Sequence, residues 1–318
     1  MPSNRLFRGR FVGYLCGFLF LAILITELSL RFVLGLGNPV LITADSATSY
    51  LLAPNQKIYR FFCHTRTNPY GMRSDNFLPQ PAPGTERILF LGDSVTYGTS
   101  HVDQAKIFTE ELHHLLPGKV QHPVEVLNAS AGGWAIDNEL GYLTSRGSFH
   151  ASRIVLVLND GDLLQSRADF NSAGEDTPNQ RPLLAWIELW QRFLRPKFFH
   201  RGPKIDAGDS VNLAQDQMLN LNFAKIQAAE NFAQQNHAVL SVLYIPFRKD
   251  IPEPNQQLKG KFFPWLASHH IAVIDTTEAL GAYPIRQVTR DGDHLTVFGN
   301  QIVAEQALAA WPSLPTIP

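Results

Sequence analysis

Four short stretches of the chain carry residue types that could do chemistry together. The first is Gly92-Asp-Ser94, which follows the apolar run Ile88 to Leu91. Such a run makes a strand buried on both faces, and ligands of open parallel sheets sit beyond the carboxyl ends of the strands. Ser94 therefore stands where a reacting group should be. The others are Asn128-Ala-Ser-Ala-Gly-Gly133, Leu158-Asn159-Asp160-Gly161-Asp162 and Asp291-Gly-Asp-His294. Each also has a plain structural reading. Gly-Asp-Ser is an ordinary turn tripeptide, Asn159 alone is a turn asparagine, and His294 alone is a helix-entry histidine. Asp93 and Asp160 are expected to bond loop backbone, and Asp162 and Asp293 to be surface carboxylates.

The elements that must position these stretches follow from hydrophobic patterning. Strands are expected at Ile88 to Leu91, Val124 to Leu127, Ile154 to Leu158, Val239 to Ile245 and Ile271 to Ile274. Helices are expected between and after them: Asp103 to Leu116 with Asp103 as cap, Asp137 to Thr144, Leu183 to Leu194, Leu213 to Gln235, Lys259 to Ser268 and Val297 to Trp311. Alternating strands and helices imply crossover units and a parallel sheet covered on both faces. The fold class is α/β: a three-layer α/β/α domain with a five-stranded, mainly parallel, flavodoxin-like sheet. In Leu183 to Leu194 the apolar residues recur at helical spacing, which favours core over a substrate groove. The long polar loops Ser166 to Gln180 and Phe199 to Val211 are the candidates for recognising substrate.

At the four stretches the sequence resembles the SGNH hydrolases, also called the GDSL family of esterases and lipases. Their defining blocks carry a serine, a glycine, an asparagine and a histidine in this order. The resemblance implies Ser94 as nucleophile, Gly133 (rather than Gly132) as oxyanion glycine, Asn159 as oxyanion amide, and Asp291 with His294 as acid and base. Asp293 is the next candidate for the acid. Val157 stands where many members have glycine in the third block, and Val95 where the name-giving leucine would be; neither change removes a reacting group. The likeness runs from about Thr85 to the C-terminus, and Asn68 to Arg73 also looks like the lead-in of membrane-anchored bacterial members. It implies no metal and no organic cofactor. Another serine-hydrolase arrangement, the Gly-x-Ser-x-Gly elbow, does not fit, because Thr96 occupies its second glycine position.

Residues Phe11 to about Leu30 are long and apolar enough to cross a bilayer. Arg5, Arg8 and Arg10 precede them and Glu27 and Arg31 mark the far end, at a spacing that favours pairing on a helix. The three arginines place the amino terminus in the cytoplasm and the rest outside, the periplasm of a bacterium by the resemblance. A cleaved signal peptide is the rival; the nearest small-residue cleavage candidates, Ala44 and Ala47, lie far downstream. The organisation expected is a cytoplasmic tip and anchor at 1–36, a stalk and lead-in at 37–84, and the hydrolase-like domain at 85–318. Lys and Arg number 27 against 28 Asp and Glu, so no global field recruits nucleic acid. Cys16 and Cys63 are expected to stay unpaired, the first lying in the apolar run. His113-His114 and His269-His270 lack partners at metal-ligand spacing.

Function follows as a membrane-anchored serine ester hydrolase whose partner is an acyl ester, an O-acylated glycan or a lipid. Two other readings stay open at this point: an envelope polysaccharide O-acyltransferase using the same site, and a non-catalytic glycan-binding or assembly protein.

Overall fold

The computed structural model describes residues 3–170, 178–195, 215–247 and 254–311. The first element is a helix, α1 (Ser3–Phe32), and two antiparallel hairpins follow, β1 (Ile42–Asp45) with β2 (Ser49–Leu52) and β3 (Lys57–Arg60) with β4 (Cys63–Arg66). The sheet is built from β5 (Glu86–Gly92), β6 (Val124–Ser130), β7 (Arg153–Leu158), β8 (Val239–Tyr244) and β9 (Ala272–Asp275). Its order is β6-β5-β7-β8-β9 and every neighbouring pair is parallel. Numbered within the sheet this is 2-1-3-4-5, the flavodoxin order, with its reversal at β5. The apolar runs expected to be strands are the strands, each within two residues at one end and three at the other.

Side chains alternate across the sheet, as the strand repeat requires. Leu89, Leu91, Ile154 and Leu156 face one layer, and Ile88, Phe90, Val155 and Val157 face the other. The first layer contains α4 (Ile136–Arg146) together with Gln215–Gln235 and Pro254–Ser268; the second contains α3 (Phe108–Leu115) and the final helix Val297–Ala310. Val40, Ile42, Tyr50, Leu52, Ile58 and Met72, from the stretch expected as stalk and lead-in, are buried in the first layer with the sheet residues. Of the predicted loops, Phe199 to Val211 lies outside the described residues, as do 171–177 of Ser166 to Gln180.

Two helix expectations need correction. Asp103 does not cap one long helix. Its side chain accepts from the N–H of Ala105 on a short 3-10 turn, the fully buried Ile107 is extended, and α3 begins at Phe108. Turning Ile107 into the core costs the helix its continuity. The segment Leu183 to Leu194 is a short helix, α5 (Ala185–Glu188), continuing into a π-helical turn at Leu189–Leu194. Its apolar residues are not one core stripe. Ala185, Trp186, Leu189 and Phe193 pack with Leu30 and Leu36 at the end of α1, whereas Leu183, Ile187 and Trp190 are exposed.

Candidate active site

The register of β5 with its two neighbours aligns three of the four stretches. Gly92 pairs with Ser130 on one side and with Val157 on the other, so Asp93-Ser94, Gly132-Gly133 and Asn159 leave the sheet on the same edge. Gly92 has to be glycine here, because a Cβ would lie 2.0 Å from Thr96 Oγ1. The chain then turns into α2 (Ser94–Tyr97), whose cap is Asp93: its Oδ1 accepts from Val95 N–H at 2.8 Å. The Ser94 N–H, at the first helical position, has no intrahelical acceptor.

His294 comes from the other end of the chain, and its Nε2 lies 3.0 Å from Ser94 Oγ. Its Nδ1 is 2.8 Å from Asp291 Oδ2, and Asp291 Oδ1 accepts the His294 backbone N–H at 2.9 Å. With Nδ1 donating to the carboxylate, Nε2 is left as the acceptor facing the serine hydroxyl. Burial acts to raise the Asp291 carboxyl, but the bonds and charge of His294, and then Arg290, outweigh it and hold the group well below the usual carboxylate range. Asp293, the substitute considered for Asp291, gives its backbone N–H to Asp291 Oδ1 at 3.2 Å.

Asn159 sits behind Ser94. Its Oδ1 accepts from the N–H groups of Gly161 and Asp162, which fixes the amide so that Nδ2 points to Asp93 Oδ2 at 3.2 Å. An amide nitrogen carries two hydrogens, and one remains for an incoming oxygen. Gly133 is in the left-handed region at φ +79° and is exposed. Its neighbour Gly132 is held by the Tyr50 hydroxyl, which donates to the Gly132 carbonyl at 2.8 Å.

Several further residues shape the site. Tyr50, on β2, reaches the glycine loop across 82 positions. Arg73 is completely buried and donates to the carbonyls of Tyr97, Thr99 and Val102, so it organises the loop that leaves α2. Asn128 donates to the Thr96 carbonyl at 2.9 Å and to Thr109 Oγ1, tying the end of β6 to α2. His101 stacks on Phe61 with ring centroids 4.4 Å apart. Burial, and then the charges of Arg290, Arg192, Arg60 and His294, push it down to about 4. Phe61 and Phe62 form the tip of the β3-β4 hairpin with φ of 51° and 63°, a conformation bulky residues rarely adopt. Arg73 stood in a turn motif that could have flagged it; Tyr50 and Phe61 had no such signal.

The carboxylates near the site also differ from expectation. Asp162, expected on the surface, is buried and accepts the Asn159 N–H at 2.8 Å. Asp160 accepts from the Tyr244 hydroxyl. Glu139 on α4 is fully buried with neither oxygen hydrogen-bonded. Burial, reinforced by the charge of Asp93, pushes Glu139 well above the usual range, and the same causes raise Asp162. No group of three or more metal-ligating side chains occurs among the described residues. A cleft of about 510 Å³ between β4 and α3, lined by His64, Arg66, Glu110 and His113 among others, does not include Ser94 or His294.

No protein-family model and no curated protein matches the chain. Among solved structures, it is similar to a member of the lipolytic G-D-S-L family from Veillonella parvula, with 16% identity and a TM-score of 0.45 over 72% of this chain and 100% of that one. It is also similar to the acetyl xylan esterase AlAXEase, at 15% identity and a TM-score of 0.44 over 72% and 100%. A third is the esterase EstA from Pseudoalteromonas, at 11% identity and a TM-score of 0.45 over 72% and 97%. At such identities the roles of residues have to be argued from this chain's own geometry.

Proposed function

We propose that the protein is a serine ester hydrolase working through an acyl-serine intermediate. The observation that carries this reading is the continuous line from Ser94 Oγ through the His294 ring to Asp291, at 3.0 and 2.8 Å. A serine hydroxyl is a weak nucleophile until a base takes its proton. His294 Nε2 takes it as Oγ attacks the ester carbonyl, and Asp291 holds the ring in the required tautomer and stabilises the imidazolium. The carbonyl oxygen becomes an oxyanion, to which the Ser94 and Gly133 N–H groups and Asn159 Nδ2 donate. Collapse expels the alcohol, which takes the proton from His294. Water then attacks the acyl-serine by the same steps in reverse order, releasing the acid and restoring Ser94.

The chain's organisation is part of the proposal. Residues 1–36 form the cytoplasmic tip and anchor, and 85–318 carry the chemistry outside the cytoplasm, with apolar residues of 37–84 packed into the core of that domain. Arg10–Phe32 is 23 helical residues long and contains an 18-residue window of mean hydropathy 2.1, the length and composition that a span requires. The test is turnover of a short-chain aryl ester by the full-length protein in detergent, beside Ser94→Ala. Hydrolysis is expected from the first and none from the second; undiminished turnover by Ser94→Ala, with contaminating esterase removed, refutes the mechanism. Adding a sugar alcohol and analysing products distinguishes release of free acid from acyl transfer.

A further inference from the structure

The smallest apolar cluster joins the end of α1 to α5, where Leu30 and Leu36 meet Ala185. Polar bonds fasten the same junction. The Glu27 carboxylate accepts from the backbone N–H groups of Ala185 at 2.9 Å and Trp186 at 3.2 Å. Arg31 donates to the Leu183 carbonyl at 3.0 Å. One turn further on, Glu188 accepts from the Gly37 N–H at 2.6 Å and is ion-paired with the buried Arg60. The start of α5 is thereby held at the height of Glu27 to Arg31 along α1.

That height is the edge of a bilayer. A hydrocarbon slab of about 30 Å takes about 20 helical residues at roughly 1.5 Å each. Counted from Phe11 it ends near Leu30, so Glu27 lies about 4.5 Å inside the boundary. Opposite the cluster, the segment Leu183–Trp190 that contains α5 exposes apolar side chains beside the exposed Gln191: Leu183 is 83% and Trp190 48% exposed, with Ile187 exposed between them. An apolar face with a tryptophan, beside the exposed Arg181, has the composition of a helix lying in a lipid interface.

We propose that the segment Leu183–Trp190, with α5 at its centre, lies in the lipid–water interface, with Leu183, Ile187 and Trp190 immersed in the leaflet from which α1 emerges. The occupant is lipid rather than a protein because the patch adjoins, through the Arg31 to Leu183 bond, the exposed apolar residues at and just beyond the end of α1, Phe32 and Val33. The inference rests on the reading of α1 as a membrane anchor. It gives the domain a fixed seat on the membrane instead of a free tether. From the turn that follows α5, Phe193 meets Phe61 at 6.0 Å, and Phe61 stacks on His101.

The test uses the full-length protein reconstituted in phosphatidylcholine/phosphatidylglycerol vesicles whose acyl chains are brominated near the headgroup. The emission of Trp190 is isolated as the difference between wild type and Trp190→Phe. It is expected to be quenched by the brominated lipid and shielded from aqueous acrylamide. A Trp190 emission indifferent to brominated lipid and open to acrylamide overturns the proposal. Leu183→Trp in the Trp190→Phe background repeats the reading at a more exposed position, should the first difference be small, and is judged by the same two outcomes. Carbonate extraction separates the two readings. Release of the protein from the vesicles overturns the anchor and this inference together, whereas retention with an unquenched Trp190 overturns this inference alone.

Discussion

Replacing Asp291 by asparagine tests the chemistry at its most specific point. The carboxylate accepts from His294 at two places, the ring Nδ1 at 2.8 Å and the backbone N–H at 2.9 Å. Asparagine keeps the shape, but its NH2 can donate to Nδ1 where the carboxylate could only accept. The ring then carries its proton on Nε2, facing Ser94, and cannot take the serine proton. In the Ser-His-Asp template such a change costs about 10,000-fold in kcat, or ~5.4 kcal/mol. Here the Asp291 side chain is 36% exposed, so water screens part of its stabilisation of the imidazolium, while the tautomer effect is unaffected by screening. We expect Asp291→Asn to lower kcat by about 100- to 10,000-fold, ~2.7 to 5.4 kcal/mol, with KM nearly unchanged because Asp291 is placed to act through His294. Steady-state kinetics on an aryl ester, with the melting temperature as a check on folding, makes the measurement. A folded Asp291→Asn protein whose kcat stays within tenfold of wild type refutes the assignment. Asp291 stays charged far below neutrality, so its carboxylate is available to hold the His294 ring across the neutral range.

Two further outcomes concern stability. Glu139 is fully buried and its carboxyl is raised in the folded state. The folded protein therefore holds a proton that the unfolded chain releases, and stability falls as pH rises from the usual glutamate range through the raised folded value. Glu139→Met should reduce that slope by up to about 1.4 kcal/mol per pH unit, read from urea midpoints across the acidic to neutral range; an unchanged slope refutes the account. Glu188→Gln leaves the buried Arg60 guanidinium without its counter-charge and should cost about 3 kcal/mol. The double variant Arg60→Met/Glu188→Met should recover much of that loss, and melting temperatures of the single and double variants decide it.

Helix α5 shows where periodicity misleads. A repeat at helical spacing tells that an element has apolar sides but not what each side meets. Trp186 and Phe193 turned to the end of α1 while Ile187 and Trp190 stayed outside. Asp162 is similar: its type suits a surface, yet it is buried because the fixed Asn159 turn directs a backbone N–H at it. Ile107 broke the expected helix because its side chain was drawn into the core. In each case a contact remote in sequence outweighed a local preference.

The sequence by itself determined the five strands, since buried parallel strands need continuous apolar runs that turn residues end. It also determined which stretches could be chemical, because serine, glycine, asparagine and histidine stood where those runs and the last helix begin or end. Only the tertiary structure decided that Ser94 and His294, 200 positions apart, lie within hydrogen-bond reach. It alone decided that Tyr50 and Arg73, from the lead-in, brace the glycine loop and the turn beyond the serine. Local patterning records which surfaces want burial; pairing distances depend on sheet order and register, which no single segment encodes.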